Sequence, residues 1–482
     1  MPGATRAQPV GLSGRTGQVG TVNASLSTTP APSSGGSLVT RGSVTVQGVY
    51  QGSVPTGDNT GTILPLGLDY ALQLALRQNL AAVTESQTVR QADGIRIAAR
   101  SGLLPNASSV VSETVEQINL RTLGVPFPGL PLAVGPFNYF DARAARVNQT
   151  VFDLVRLRDL HTASENLRAT LLTARDARDL IVVAVAGSYL ELVATNARIV
   201  AAKAQVDTAQ AIYKQALDRL QAGLNARIDT TRTDVQLQTD QQRLRSLQAD
   251  RDGEKLRLAR LIGLPLGQDF SMADDFSYVP APSLPLPEAL ERANRTRADL
   301  QSSEAGVRAA DSALKAAHAE RLPNLTLAGD WGASGLRPTV SAHGVFTVVG
   351  TLTIPLYQGG RVAGDVEQAS AALRQRQAER DDMRGRVDQD VRQAYIDLSA
   401  AADQVTVARS NVGLADDTLQ QSRDRFADGV ADTVEVVQAQ QAVAAAHDDY
   451  ISAVFDHNLA KIALARAMGD AEHSLPQLLV RK

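Results

Sequence analysis

The sequence predicts a mainly α-helical fold with a small β part, in which a long-helix hairpin is duplicated in tandem. The first observation is a repeat: LARLIG at 258–263 returns as LARAMG at 464–469, and the same offset of 206 residues superimposes DRLQAGL at 218–224 on DRFADGV at 424–430. The second is the helical spacing of apolar residues through most of both copies. The third is a set of four segments in which apolar and polar residues alternate, as they do in strands.

The elements are expected in the same order in both copies. The first copy predicts a helix, two strands, a very long helix and a shorter helix, at 66–101, 106–120, 138–152, 154–222 and 228–262. The second copy predicts the same series at 286–321, 324–334, 344–356, 362–428 and 432–468. LLPN at 103–106 and RLPN at 321–324 end the first helix of each copy, because proline cannot continue a helix.

These elements divide the chain into five sections. Residues 1–65 are rich in Gly, Ser, Thr and Pro, and we expect them to be a mostly disordered leader. The first repeat is expected at 66–270, a linker at 271–285, the second repeat at 286–472 and a tail at 473–482. A long helix of roughly 69 residues spans about 100 Å, and the two shorter helices of its repeat together span nearly the same distance. Each repeat is therefore expected to form a slab two helices wide.

The four strands indicate a sheet with one apolar and one more polar face. Four strands cannot close a barrel, which needs about eight, and an open sheet leaves its edges exposed. Several chains must therefore combine if the sheet is to enter lipid, where every backbone group needs a partner. Aromatic side chains could then lie at the membrane interface, namely Tyr139, Phe140, Trp331 and Phe346. The alternative is an ordinary β core.

Composition excludes several classes of protein. The net charge is -3, with 48 basic and 51 acidic residues, and no basic arm or stacking motif indicates nucleic acid. The chain has no cysteine and no run of 18 apolar residues, so neither disulfides nor a membrane-spanning helix is expected. The six histidines are scattered, and the motifs of hydrolases, P-loop proteins and dinucleotide-binding enzymes do not occur. We therefore expect no enzyme activity, no cofactor and no metal site.

The order of the motifs resembles the TolC-type outer-membrane efflux proteins, the outer membrane factors, over residues 66–472. The resemblance depends on the two LPN motifs, on TIPLYQGGR at 353–361 with its weaker twin NQTVFDLVRL at 148–157, and on DRFADGVADTVEVVQAQ at 424–440. It implies a homotrimer whose twelve-stranded transmembrane β-barrel continues into a periplasmic α-barrel. It also implies location in the outer membrane, contact with its lipid, and no cofactor.

The resemblance also assigns candidate site residues. It implies that the turns AGL at 222–224 and DGV at 428–430 meet a periplasmic adaptor, through Gly223, Leu224, Gly429 and Val430. Acidic residues beyond the turns imply a periplasmic gate, with Asp229 and Glu435 as its carboxylates. Gln438 stands where some relatives have a second acidic residue and Ala431 where they have a basic one, so Arg227 is the alternative basic partner. The simpler interpretation of both acids is that they cap or stabilise a helix start.

Three functions remain open from the sequence. The first is a passive exit duct that receives substrates from an inner-membrane pump of the RND, ABC or MFS type through the adaptor. The second is a soluble, elongated helical scaffold or tether, which the absence of a visible signal peptide after Met1 favours. The third is an outer-membrane duct dedicated to type I protein secretion. The apolar loop at 123–137 is expected at the external mouth of such a duct.

Overall fold

The computed structural model describes residues 20–30, 38–119, 133–223, 226–274, 278–281, 284–338, 341–428, 430 and 432–479. The chain forms two compact units, each assembled from separate stretches of sequence. The first, which we call the helical unit, comprises Met1–Gln87, Leu172–Gln301 and Met383–Lys482. The second, which we call the sheet unit, comprises Thr88–Leu171 and Ser302–Asp382.

The described residues are mostly helical, with a smaller β part, as the sequence predicts. The strands are β1 Val22–Pro30, β2 Leu38–Val46, β3 Leu64–Leu66, β4 Asn106–Asn119, β5 Ala133–Phe152, β6 Phe270–Met272, β7 Asn324–Gly335 and β8 His343–Thr353. The helices are α1 Leu68–Gln78, α2 Leu80–Ser101, α3 Leu154–Gln221, α4 Arg227–Ile262, α5 Leu286–Thr296, α6 Ala298–Ala319, α7 Arg361–Ala427, α8 Thr433–Ala467 and α9 Ala471–Leu479. A 3₁₀ turn covers Gly48–Gln51.

The first helix of each repeat is broken once, where the sequence predicts a single helix. The first break is at Asn79, whose buried side-chain amide donates to the carbonyls of Tyr50 at 2.9 Å and Leu261 at 3.1 Å, while its oxygen accepts from the Ala81 amide. The second break is at Arg297, a buried guanidinium held by Asp299 and Asp390 at 2.6 Å each. A polar residue that finds buried partners thus interrupts an otherwise helical periodicity.

The repeated LAR motif ends a helix against each of these breaks. Gly263 follows α4 with φ of 82°, and a Cβ atom there would lie 2.2 Å from Oε1 of Gln78. Gly469 follows α8 with φ of 70°, and a Cβ atom there would lie 2.7 Å from Cα of Arg297. Both positions need a left-handed backbone and the absence of a side chain. The duplicated glycines therefore lie against the break in the first helix in both repeats.

The expectation of a disordered leader is wrong for the described part of residues 1–65. Strands β1 and β2 pair as an antiparallel hairpin, and Val22 and Tyr50 are buried in the main core. The Gly42 amide donates to Oδ1 of Asp456 at 2.6 Å, and Val44 packs against Gly187 of α3. Valine and threonine favour strands, but the Gly and Ser among them lower the hydrophobicity, so this composition is hard to distinguish from a disordered segment.

The main core of the helical unit surrounds the middle of α3. Its buried members include apolar residues of α1, α3, α4 and α8, such as Leu72, Ile181, Leu192, Leu258, Leu459 and Ile462. Among the described residues, α3 is the one helix with an 18-residue window apolar enough to cross a membrane, with a mean hydropathy of 1.6. Since 72% of that window is buried inside the protein, it serves as a core segment.

Candidate functional site

The ends of the four long helices of the helical unit contain the predicted docking turns. Gly223 follows α3 with φ of 73°, and nothing lies within 4 Å of where its Cβ atom would be. Val430 lies between α7 and α8 with 71% of its surface exposed. Leu224, Gly429 and Ala431 lie outside the described residues. The described part of the turns therefore offers a left-handed glycine and an exposed apolar side chain.

The two predicted gate acids both lie in the first turn of a helix. Oδ1 of Asp229 is 3.8 Å from Arg232 on α4, and Oε1 of Glu435 is 3.6 Å from Arg425 on α7. Neither caps its helix, since the cap of α8 is Asp432, which accepts from the Glu435 amide at 3.0 Å, and α4 has no side-chain cap. Both carboxylates lie where a negative charge interacts favourably with the helix dipole.

The other two predicted gate residues are exposed at the same helix starts. Arg227 is the first residue of α4, and Gln438 lies one turn into α8. The structure thus places all four predicted gate residues at the starts of α4 and α8, which are equivalent in the repeat. Each acid has an arginine nearby. Within one chain, the acids pair with arginines of their own hairpin.

The predicted site residues do not include Arg219, which joins the two hairpins. Its guanidinium lies 4.4 Å from the ring centroid of Phe426 and donates to the carbonyls of Phe426 at 3.0 Å and Ala427 at 3.1 Å. These are the last carbonyls of α7, which carry partial negative charge. Its repeat equivalent Arg425 pairs with Glu435 instead. The DR pair shared by DRLQAGL and DRFADGV was the available signal.

A small apolar cluster supports the helix ends of the second repeat. Its buried members come from α3, α7 and α8, namely Ile212, Leu419, Phe426, Val436, Ala439 and Val443. In the first repeat, the positions equivalent to Val436 and Ala439 are the buried Thr230 and Thr233 of α4. The Thr230 hydroxyl is 3.5 Å from the Ala216 carbonyl and donates to it. The two hairpin ends therefore differ in the polarity of their packing.

The sheet unit contains a four-stranded antiparallel sheet in the order β4-β5-β7-β8. Cross-strand partners share a face, and successive residues alternate between faces. Trp331 is directly opposite Phe346, and Phe140 is opposite Gly335, four residues beyond Trp331. Three of the four predicted interface aromatics therefore lie on one face. Tyr139 is the exception: as the neighbour of Phe140 on β5, it lies on the opposite face.

The face that carries Trp331 is apolar and exposed, and the opposite face is charged. Large apolar side chains with more than a third of their surface exposed accompany it, namely Val111, Val115, Leu327, Phe346, Val348 and Leu352. On the opposite face, Arg143 Nε is 2.8 Å from Asp141 Oδ1, and its Nη1 is 2.5 Å from Asp330 Oδ1. The two faces thus differ as the faces of a membrane-spanning sheet do.

Titratable groups buried in the helical unit have shifted pKa values. Burial raises the pKa of Glu254 to about 7, against a hydrogen bond from Thr195 at 3.0 Å. Burial also lowers the pKa of His457 to about 4 and that of Lys461 to about 8. These side chains lie within packed helices, and among the described residues no cluster of three His, Asp or Glu could hold a metal ion.

A family model and several known proteins match this chain. The model described as outer membrane efflux protein matches residues 71–264 and 289–470. The pyoverdine export outer membrane protein OpmQ of Pseudomonas putida is 22% identical over 412 residues, which is 83% of this chain and 85% of that protein. The outer membrane efflux protein BepC of Brucella suis is 24% identical over 265 residues, which is 52% of this chain and 55% of that protein.

Solved structures share the fold. The outer membrane protein VceC of Vibrio cholerae superimposes with a TM-score of 0.71 at 17% identity, over 83% of this chain and 96% of that one. The CmeC outer membrane channel of Campylobacter jejuni gives a TM-score of 0.73 at 15% identity, over 84% and 86%. The family model spans most of both repeats and confirms the predicted resemblance. The chain therefore belongs to the outer membrane efflux protein family of TolC-type channels.

Proposed function

We propose that this chain is one subunit of a homotrimeric exit duct, which passively conducts substrates from an inner-membrane pump through a periplasmic adaptor to the exterior. Its family places it in the outer membrane and in efflux. The observation that carries the trimer is the incomplete sheet. Strands β4 and β8 are its edges, and the face carrying Trp331 and Phe346 is apolar. Three copies of four strands supply a twelve-stranded barrel without edges, as lipid requires.

Exposed apolar stripes on two helices support the same assembly. On α4, Ile228, Val235 and Leu256 are separated by multiples of seven residues, and each has more than half of its surface exposed. On α7, Val407 and Leu414 are seven residues apart and equally exposed. Apolar residues at this spacing form the seam between packed helices. The occupant of each stripe is a second copy of this chain, since barrel closure already requires copies side by side.

We further propose that the helix ends gate the duct and bind the adaptor. Asp229 and Glu435, with Arg227 and Gln438 beside them, would line the narrow end, and Gly223, Leu224, Gly429 and Val430 would contact the adaptor. Three copies of each carboxylate around one axis would favour cations and resist wide opening.

In this proposal the duct is passive, so the inner-membrane pump supplies the energy for transport. The name of OpmQ assigns that relative to pyoverdine export, which supports small-molecule efflux over dedicated protein secretion here.

Disulfide trapping tests the trimer, because the chain has no cysteine of its own. In the register of β5 and β7, Asn148 is opposite Ala328. Thr353 pairs with Asn324 as Asn148 pairs with Asn106, so Thr353 on β8 is the repeat equivalent of Asn148, and the offset of 218 residues makes Val110 on β4 the equivalent of Ala328. We therefore expect Thr353→Cys combined with Val110→Cys to give covalent dimers and trimers in detergent on oxidation. Each single variant should give no trimer.

The matched control is a pair within one chain. Thr326 and Thr351 are opposite each other on β7 and β8, so cysteines there should cross-link inside the monomer. If this control forms while no pair between β4 and β8 cross-links copies, the trimeric barrel is refuted. A protein that stays monomeric and soluble without detergent would refute it equally, in favour of the scaffold.

A conductance measurement tests the gate. Replacing Asp229 and Glu435 with alanine removes the carboxylates at the helix starts, and we expect a larger single-channel conductance in planar bilayers. Asp250→Ala, an exposed position further along α4, is the control and should leave the conductance unchanged. Equal conductance of the wild type and the double variant would rule out a gate at these residues.

A further inference from the structure

We propose, resting on the trimeric duct above, that Arg143, Asp141 and Asp330 form a charged belt inside the barrel that tunes its ion selectivity. These residues form the Arg143 network, which bridges β5 and β7 by the two ion pairs at 2.8 and 2.5 Å. All three side chains are largely shielded, with 16, 20 and 22% of their surface exposed.

The register directs this network toward the inside of the barrel. Arg143 is opposite Gly332, and Asp330 is two residues from Gly332, so both share a face with Asp141. This face is the reverse of the one carrying Trp331, because adjacent residues of a strand alternate. In a barrel the apolar face meets lipid and the other face lines the lumen. The belt therefore faces the water-filled passage.

A bulge fixes the position of Arg143. The register of β5 against β7 shifts between Arg143 and Ala145, and the Ser109 hydroxyl of β4 donates to the Arg143 carbonyl at 3.1 Å. Gly332 lets β7 approach at this level, because a Cβ atom there would lie 2.0 Å from the Ala142 carbonyl oxygen. Bulges re-aim side chains and are common beside functional sites. The guanidinium is thus held by backbone geometry as well as by its ion pairs.

The network has one positive and two negative charges, so each copy contributes a net charge of -1. Arg146, which is opposite Asp330, and Glu116 on β4 add one charge of each sign to the same face. Three copies around one lumen would form a ring whose net charge favours cations, as rings of carboxylates do in cation channels. The balance depends on Arg143, which neutralises one of the two carboxylates.

Reversal potentials in a KCl gradient across planar bilayers test this proposal with three variants. Arg143→Gln makes the network more negative, and we expect the K⁺/Cl⁻ permeability ratio to rise about two-fold, since lumenal substitutions tune selectivity. Asp141→Asn makes it less negative and should lower the ratio by a similar factor. The double variant restores the net charge, so its ratio should return to the wild-type value. If the network only stabilised the sheet, the permeability ratio of the double variant would instead differ most from that of the wild type.

Two further variants serve as controls. Glu113 of β4 is opposite Phe140 of β5 and so lies on the lipid-facing side. Glu113→Gln removes this carboxylate and should leave the reversal potential unchanged. Arg143→Lys keeps the charge without the two-pronged geometry and should keep the selectivity, even if it lowers thermal stability. Unchanged potentials in both Arg143→Gln and Asp141→Asn would overturn the belt while leaving the duct intact. Absence of any channel current from the wild-type protein would instead count against the duct itself.

Discussion

At the scale of single residues, the glycine that ends α8 is a point where backbone conformation and packing coincide. Gly469 has φ of 70°, and a side chain there would meet the backbone of Arg297. We expect Gly469→Ala to destabilise the protein by about 2 kcal/mol, since a left-handed backbone alone costs an L-residue about 1–2 kcal/mol. Urea unfolding of the purified protein in detergent measures the loss.

The control is Gly253, a helical glycine of α4 with nothing within 4 Å of its would-be Cβ atom. Gly253→Ala should raise stability by about 0.5–1 kcal/mol, because alanine favours the helix interior. If Gly469→Ala changed the free energy of unfolding by the same amount as Gly253→Ala, the close approach of Gly469 to Arg297 would have no energetic consequence.

Glu254 predicts a dependence of stability on pH. Burial raises its pKa to about 7, so between pH 4.5 and 7 the folded protein binds a proton that the unfolded chain releases. The stabilisation of the folded protein by this bound proton is fully present below about pH 4.5 and is lost as the pH rises through 7. Glutamine keeps the shape without the charge. We therefore expect Glu254→Gln to become more stable than the wild type by roughly 1–3 kcal/mol at pH 8.

Unfolding midpoints across pH 4.5 to 8 check this prediction for Glu254→Gln against the wild type. The matched control is Glu291→Gln, which removes an exposed carboxylate that is 3.4 Å from Arg295. Exposed pairs contribute about 0–1 kcal/mol, so this variant should follow the wild-type pH profile. A constant difference between Glu254→Gln and the wild type at every pH would contradict the assignment.

At the scale of elements, the hairpin of β1 and β2 is attached to α3 at a position that lacks a side chain. A Cβ atom on Gly187 would lie 2.3 Å from Cγ2 of Val44. We expect Gly187→Ala to loosen the hairpin and to speed its cleavage in limited proteolysis by about ten-fold, which corresponds to about 1.4 kcal/mol. Val44→Ala removes the two Cγ atoms that a Cβ atom at position 187 would meet, so the double variant should recover much of the protection. Failure of this rescue would mean that Gly187 does not seat the hairpin.

The elements also show what the sequence could and could not predict. The long helices, the four strands of the sheet and their duplicated order followed from periodicity, because both periods persist over many residues. The breaks at Asn79 and Arg297 did not, since each depends on buried partners from distant segments such as Leu261 and Asp390. The hairpin did not either, because its burial against α3 and α8 is a tertiary effect that composition does not report.

The candidate site shows the same division. The turns and the acids beyond them were predictable because the repeat aligns Asp229 with Glu435 in sequence. The contact of Arg219 with the end of α7 joins two repeats, and pairwise contacts between distant segments leave no periodic signal. The face of Tyr139 follows from strand alternation, but only once Phe140 is known to pair opposite Gly335. Register decides such assignments, and one residue of slip reverses them.

At the scale of the whole molecule, the apolar stripes on α4 and α7 should hold neighbouring copies together. Val407 and Leu414 are each more than half exposed in the single chain, at a spacing of one heptad. A carboxylate at Val407 would have to be buried without a partner in the assembled duct. We therefore expect Val407→Asp to reduce the fraction of trimer in detergent at least ten-fold, as measured by size-exclusion chromatography with light scattering. Thr406→Asp is the control, because Thr406 is the exposed residue directly before Val407 and lies outside the stripe. A variant at Val407 that remains as trimeric as the Thr406 variant would mean that copies meet elsewhere.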